Sequence, residues 1–212
     1  MPRGRTKVAN PETARRILAA AEAHFAARGM AGARTEEIAS AAHANKAMLY
    51  YYFGDKRRLH RAVLENLLRQ LRTNVYGPVR PDSSPRERLW RFVGAYFDFL
   101  ASHPNYPRLV QRAALEATQQ FEWMKREYFR PFIMQLVHLV DDGIESGDFR
   151  HVDPKHTAFT IMGMTTSYFA AAPILSSVAG HDLLAPHAVR ERKQALMDFL
   201  EHALIRAKER TR

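Results

Sequence analysis

Apolar residues recur along this chain at intervals of three and four, the period of an amphipathic helix, and strand-like alternation is not apparent. Asn10 as cap and Pro11 in the first turn open a helix whose inward positions are Ile17, Ala21 and Phe25, and Gly29 ends it. Thr35 reads as the N-cap of a short second helix, from about Glu36 to Ala42, with Glu36 and Glu37 where carboxylates suit the helix dipole and Ile38, Ala39 and Ala42 inward. Asn45 caps a third helix, about seven residues long, in which Leu49, Tyr52 and Phe53 share a face. Asp55 caps a fourth, with Leu59, Val63, Leu67 and Leu71 as its stripe, fading near Gly77-Pro78.

Gly77 to Ser84, rich in proline, glycine and serine, predicts a domain boundary. Ser84-Pro85-Arg86-Glu87 is a capping box with proline at the first helical position. The helix it opens carries Leu89, Phe92, Val93, Tyr96, Phe97 and Leu100 as far as His103-Pro104. A sixth helix follows from about Pro104 or Pro107 to Thr118, and a seventh from about Phe121 to Ser146. Gly147-Asp148 breaks the chain, Asp153-Pro154 opens the eighth helix, and a ninth starts near Pro186 with Leu196, Phe199, Leu200, Ala203 and Leu204 on one face. The expectation is an all-α chain of about nine helices, with a flexible basic arm over 1–9, a first helical unit over 10–76 and a second helical unit over 84–212.

Thr157 to Gly180 holds no charged residue and is long enough to cross a bilayer. Seven Ser or Thr, Pro173, two glycines and flanks without the usual anchors argue for no membrane. They predict instead a helix buried on nearly all sides, as at a subunit interface. The face on the ninth helix then supplies the rest of a homodimer interface, through Leu196, Phe199, Leu200 and Ala203.

Composition changes this picture in two ways. With 46% apolar residues among 212 the chain has ample material for a core, and the lack of cysteine excludes disulfides, thiol catalysis and Cys-ligated zinc. That usage fits a cytoplasmic protein, as does an N-terminus, Met1-Pro2-Arg3-Gly4-Arg5, without the apolar run of a secretory signal. Charge is uneven: residues 1–75 hold 14 Lys or Arg against 6 Asp or Glu, whereas 76–212 hold 18 against 16. Basic charge gathered on the unit with the short helices points to nucleic acid.

The chemistry follows from those helices. Two helices joined by only His43, Ala44 and Asn45, each too short to stand alone, read as a helix-turn-helix whose second member enters a major groove. With Leu49 and Phe53 inward, Lys46 and Tyr50 share one outward face and Ala47 and Tyr51 the next. Lys46 offers charge to phosphate or guanine, Ala47 lets the backbones approach, and Lys56 meets a phosphate at the start of the fourth helix. Arg3, Arg5 and Lys7 of the arm either reach a minor groove or are simply solvated. No hydrolase, zinc-protease, dinucleotide or P-loop spacing occurs, so neither an enzyme nor a cofactor is expected. His151, Asp153 and His156, or His138 with Asp141 and Asp142, have metal-like spacing, but Asp153 is better explained as a helix cap and the His138 group as an exposed helix end, so no metal is expected.

Leu49-Tyr50-Tyr51-Tyr52-Phe53-Gly54-Asp55-Lys56, together with Ile17-Leu18, Ala20-Ala21, Phe25, Gly29, Thr35 and Ile38-Ala39, resembles the signature of the TetR family of transcriptional regulators. The resemblance is close over roughly residues 11–64 and architectural beyond. His43 stands where the family usually has a turn glycine, and Asn45-Lys46-Ala47 replaces a common Ser-x-Gly/Pro, so base preference does not carry over. The resemblance implies phosphate contacts at Thr35, Tyr50 and Lys56 and base-facing positions at Asn45, Lys46, Ala47 and Tyr51. It also implies a homodimer on double-stranded operator DNA, most often as a repressor, with a small mostly hydrophobic effector bound among the C-terminal helices. Phe97, Phe129, Phe132, Met164 and Tyr168 are candidate walls of that pocket, with Arg112 and Glu116 as its polar groups or, equally, as an i, i+4 pair of their own. The alternative class is a small-molecule binding or enzymatic helical protein with a vestigial DNA-binding head.

Overall fold

The computed structural model describes residues 11–77, 80, 82–115 and 119–205. The basic arm, the Asn10 cap and Glu116 lie outside the described residues. Polar caps and prolines fix where the helices begin. Asn45 Oδ1 accepts from the Met48 N–H at 2.8 Å, Asp55 from Arg58 at 2.7 Å and Asp153 from His156 at 2.7 Å. Ser84 and Glu87 close the reciprocal capping box, at 3.2 and 3.3 Å.

Among the described residues the fold is ten α-helices and one π-helical turn, with no strand. They are α1 Pro11–Gly32, α2 Thr35–Ala41, α3 Lys46–Phe53, α4 Lys56–Tyr76, α5 Pro85–Ser102, α6 Tyr106–Leu115, α7 Gln119–Met124, the π-helical Lys125–Phe129, α8 Arg130–Glu145, α9 Pro154–Ala179 and α10 Pro186–Leu204. Because α7, the π-turn and α8 run on without a break, they form one rod where the sequence predicts one helix. The wide turn directly precedes Pro131, whose ring would clash with the Glu127 carbonyl in a regular α-helix, and the expanded turn relieves that clash.

Two expected boundaries shift. Gly29 leaves helical geometry (φ 68°, ψ 176°) where the first helix is expected to end, and a further helical turn then carries α1 on to Gly32. Thr35 is the first residue of α2 and not its N-cap: Arg34 takes that place in extended backbone, without a side-chain cap bond. His43 adopts φ 49°, the left-handed turn geometry that a non-glycine residue of its type tolerates better than most.

The chain divides into two compact units after Leu67, inside α4, whereas the Gly77–Ser84 stretch was the expected boundary. In the first unit α2 packs on α1 and α3 on both. Ile17, Ala21, Phe25, Ile38, Leu49 and Leu59 there have no exposed surface. In the second unit α5 lies at the centre, with α8, α9 and α10 against it and α6 against α9. Its core is aromatic: Phe132 meets Tyr96 at 4.8 Å and Phe92 at 5.0 Å, and Phe97 meets Phe169 edge-on at 5.0 Å.

α9 is covered on only part of its surface within the protomer. It is the one described helix long and apolar enough to cross a membrane, and only 28% of its most apolar window is buried within the protomer. Ala158, Ile161, Thr165, Phe169 and Ala172 face inward, while Phe159, Ile174 and Val178 stand 51%, 71% and 81% exposed.

Candidate nucleic-acid interface

The first unit presents α3 through local chemistry. Leu49, fully buried, anchors the helix on α1 and α2, and the Asn45 cap pins its start. Gly54, at φ 80°, then turns the chain into α4. That anchoring leaves Tyr50 and Tyr51 outward, 40% and 67% exposed, with Tyr51 edge-on to Tyr52 at 5.3 Å. Ala47 is exposed beside them.

The remaining members of the predicted set carry partners that the sequence did not announce. Lys46, first residue of α3, forms an ion pair with Glu36 of α2, and its ammonium lies 5.8 Å from the centre of the Tyr50 ring. Glu36 holds the Lys46 ammonium charged, and Lys46 holds the Glu36 carboxyl below its ordinary range. Thr35 is 7% exposed and its hydroxyl donates to Glu36 at 3.3 Å, so it is the least accessible of the set. Asn45 is exposed, with its carbonyl oxygen spent on the cap. Lys56 is half-buried and donates to the Ala31 carbonyl at 3.0 Å, tying α4 to the end of α1. Glu36 is the residue that sequence reasoning passed over. It counted only as a first-turn carboxylate, although its ten-residue separation from Lys46 bridges the turn.

The candidate effector residues do not converge on one cavity. Phe97 and Phe132 are buried and packed against other rings, and of the two only Phe132 also borders a hollow. Phe129 borders an open hollow of about 520 Å³ along α7, the π-turn and α8, with Lys125, Arg126, Arg130, Ile133 and Met134. Met164 borders a different hollow, about 250 Å³, with Phe199 and Ala203. Tyr168 donates to the Leu183 carbonyl at 2.6 Å and carries the Arg192 guanidinium 5.4 Å from its ring. Arg112 lies exposed in the last turn of α6 and lines none of these hollows. A third hollow, about 180 Å³, lies between the end of α4 and the start of α8, lined by Arg72, Tyr76, Glu127, Tyr128 and Phe132 among others. Burial raises the Tyr76 hydroxyl to about 12.

The candidate dimer set divides as well. Leu196 and Leu200 are 2% exposed and belong to the protomer's own core. Phe199 is 55% exposed and Ala203 half-buried, so these two remain on the surface. The larger uncovered face belongs to α9. Phe159, Gly163, Ser167, Ile174 and Val178, with half-buried Ala170 between them, recur there at steps of three and four, a spacing that a helical count through the charge-free stretch would have found.

Comparison with known proteins accords with this arrangement. Residues 17–63 match the family profile "Bacterial regulatory proteins, tetR family", and residues 85–200 match "Tetracyclin repressor-like, C-terminal domain". The HTH-type transcriptional repressor SCO4008 of Streptomyces coelicolor is 36% identical over 173 residues, covering 80% of this chain and 84% of that protein. Among solved structures, the ketosteroid transcriptional regulator KstR2 of Mycobacterium tuberculosis superposes with a TM-score of 0.77 at 20% identity, over 97% of this chain and 100% of that one. AibR, solved in complex with isovaleryl coenzyme A and operator DNA, superposes at 0.74 with 18% identity, over 88% and 97%. At those identities the two structures speak for the fold alone. The two profiles together span the helix-turn-helix and most of the second unit, and with them the chain belongs to the TetR family of bacterial transcriptional regulators.

Proposed function

We propose that this regulator acts as a homodimeric repressor on a pseudo-palindromic operator and is released by a small, mostly hydrophobic effector. The observation that carries the reading is the outward face of α3, where Lys46, Ala47, Tyr50 and Tyr51 stand together on a helix held by Leu49 and the Asn45 cap. Tyr51 and Lys46 serve as base readers, and Tyr50 and Lys56 approach phosphates. The exposed stripe of α9 with Phe199 supports the dimer, because an apolar face of that kind needs a dry partner and a second copy supplies it by two-fold symmetry.

The effector reading rests on family membership and on hollows in the second unit. The hollow beside Tyr76, Tyr128 and Phe132 joins aromatic walls to an arginine and a carboxylate, which suits an apolar ligand with one polar end. For a ligand to act, it must prefer one of two conformations of the dimer. Repressor action is supported by the likeness to SCO4008.

Selection of duplexes from a random library with the purified protein tests the core of the proposal. Enriched sequences should contain two inverted half-sites whose centres lie about 34–36 Å apart, or a whole number of helical turns apart. Enrichment of a single unrepeated half-site would rule out the two-fold dimer, and no enrichment at all would rule out sequence-specific reading by α3.

A further inference from the structure

Four side chains form a continuous cluster across the turn between α2 and α3. The Thr35 hydroxyl donates to Glu36, the Glu36 carboxylate pairs with Lys46, and Lys46 lies over the Tyr50 ring. Three of these four occupy the positions proposed to meet DNA. The fourth is an anion. Both partners of the ion pair keep half or more of their side-chain surface in solvent, 50% for Lys46 and 61% for Glu36, so DNA approaching α3 meets the carboxylate together with the ammonium.

A carboxylate in that place changes what Lys46 does on different DNAs. On a sequence that offers only phosphates, the cation already has an anionic partner, and bringing a phosphate near also brings it near Glu36. The pair is then close to neutral toward the backbone and releases no net counterion. On a sequence that places guanine O6 and N7 beside the start of α3, the lysine gains directional acceptors that bring no repelling charge of their own. Exchange of partner is favourable there and unfavourable elsewhere.

We propose that Glu36 is a specificity-determining positioning residue, which holds Lys46 in check on non-operator DNA and yields it only to the correct base edge. The proposal rests on the reading of Lys46 as a DNA contact. Discrimination comes here from suppressing the wrong complex at least as much as from strengthening the right one.

Glu36→Gln keeps the size and hydrogen-bonding capacity of the side chain and removes its charge. Binding of this variant, of Lys46→Ala and of the double variant is measured on the selected operator and on random duplex DNA across a salt series. Glu36→Gln should raise affinity for random DNA about two- to fivefold, the scale of an exposed ion pair. It should also steepen the salt dependence on random DNA by about 0.9 in log–log slope, as one lysine is freed for a phosphate. Operator affinity should change less, so the ratio of operator to random binding falls. In the Lys46→Ala background the same substitution should leave the slope unchanged, and Glu36→Asp should restore much of the wild-type ratio.

Equal weakening on both DNAs with an unchanged slope would show that Glu36 only orders the α2–α3 turn and would overturn the proposal. So would a steepened slope that persists without Lys46. If Lys46→Ala alone alters neither operator affinity nor slope, the assignment of Lys46 as a contact has failed, which is a separate outcome from failure of the Glu36 role.

Discussion

α3 and α9 both leave large side chains uncovered, and the difference between them lies in what those side chains carry. α3 exposes tyrosines, whose rings offer contact area and whose hydroxyls accept and donate hydrogen bonds in a wet interface. α9 exposes Phe159, Ile174 and Val178, which have nothing to offer a phosphate or a water. Around α3 the charges are arranged in pairs, Lys46 with Glu36 and Arg28 with Glu37, whereas α9 from Thr157 onward has none. The polar face suits a hydrated, charged polymer, and the apolar face suits a second protein surface that excludes water.

The sharpest way to break that contrast is to put charge on the apolar face. Ile174→Glu with Val178→Glu should force carboxylates into the proposed dry interface, a cost on the order of 3–5 kcal/mol or more. Sedimentation should then show monomers, and operator binding should fall with them while helix content holds. An unchanged sedimentation coefficient would mean the stripe faces no partner.

Next in size is the polar face. Tyr51→Ala should cost about 1–3 kcal/mol on the operator and less on random DNA. Equal losses on the two DNAs, read by fluorescence anisotropy, would remove Tyr51 from the readers.

Asn45→Ala removes the side-chain acceptor for the Met48 N–H and should cost roughly 1 kcal/mol of stability. Denaturant melts check that figure. Operator binding should weaken further than stability alone requires, because the start of α3 holds Lys46 and Ala47 in place.

The smallest expected effect separates buried from exposed tyrosine. Burial raises the Tyr96 hydroxyl to about 12, with Thr166 Oγ1 at 2.7 Å partly opposing that shift. The unfolded chain ionises this group near the ordinary tyrosine value of about 10, so its contribution is complete below that pH and is lost progressively as pH rises toward 12. Tyr96→Phe should therefore lose less stability than the wild type between about pH 10 and 12, after allowance for the missing Thr166 bond. Parallel stability curves for the two proteins across that window would count against the burial argument.

What the sequence by itself determined is what short-range spacing decides. The caps at Asn45, Asp55, Ser84 and Asp153 are bonds to backbone three residues on, and each forms where the residue types require. The periodic stripe of Leu49, Tyr52 and Phe53 dictates which side of α3 turns inward, and with it that Tyr51 turns out. A long apolar helix opening at Asp153-Pro154 was equally legible from the lack of charge between Thr157 and Gly180.

Only the tertiary structure decided the rest. Leu196, Phe199 and Leu200 lie on one face of α10 by count, yet two of them are buried within the protomer and Phe199 is left bare, which depends on how closely distant helices approach. Whether the aromatics of α5, α8 and α9 wall a cavity or fill one is likewise a matter of packing: Phe97 is core, while Phe132 packs on Tyr96 and also borders the hollow beside Tyr76. The Glu36–Lys46 pair joins α2 to α3 across a turn in which His43 takes a positive φ. Periodicity assigns a residue to a face of its own helix; the neighbours that meet this face come from chain far away in sequence, and no local pattern encodes them.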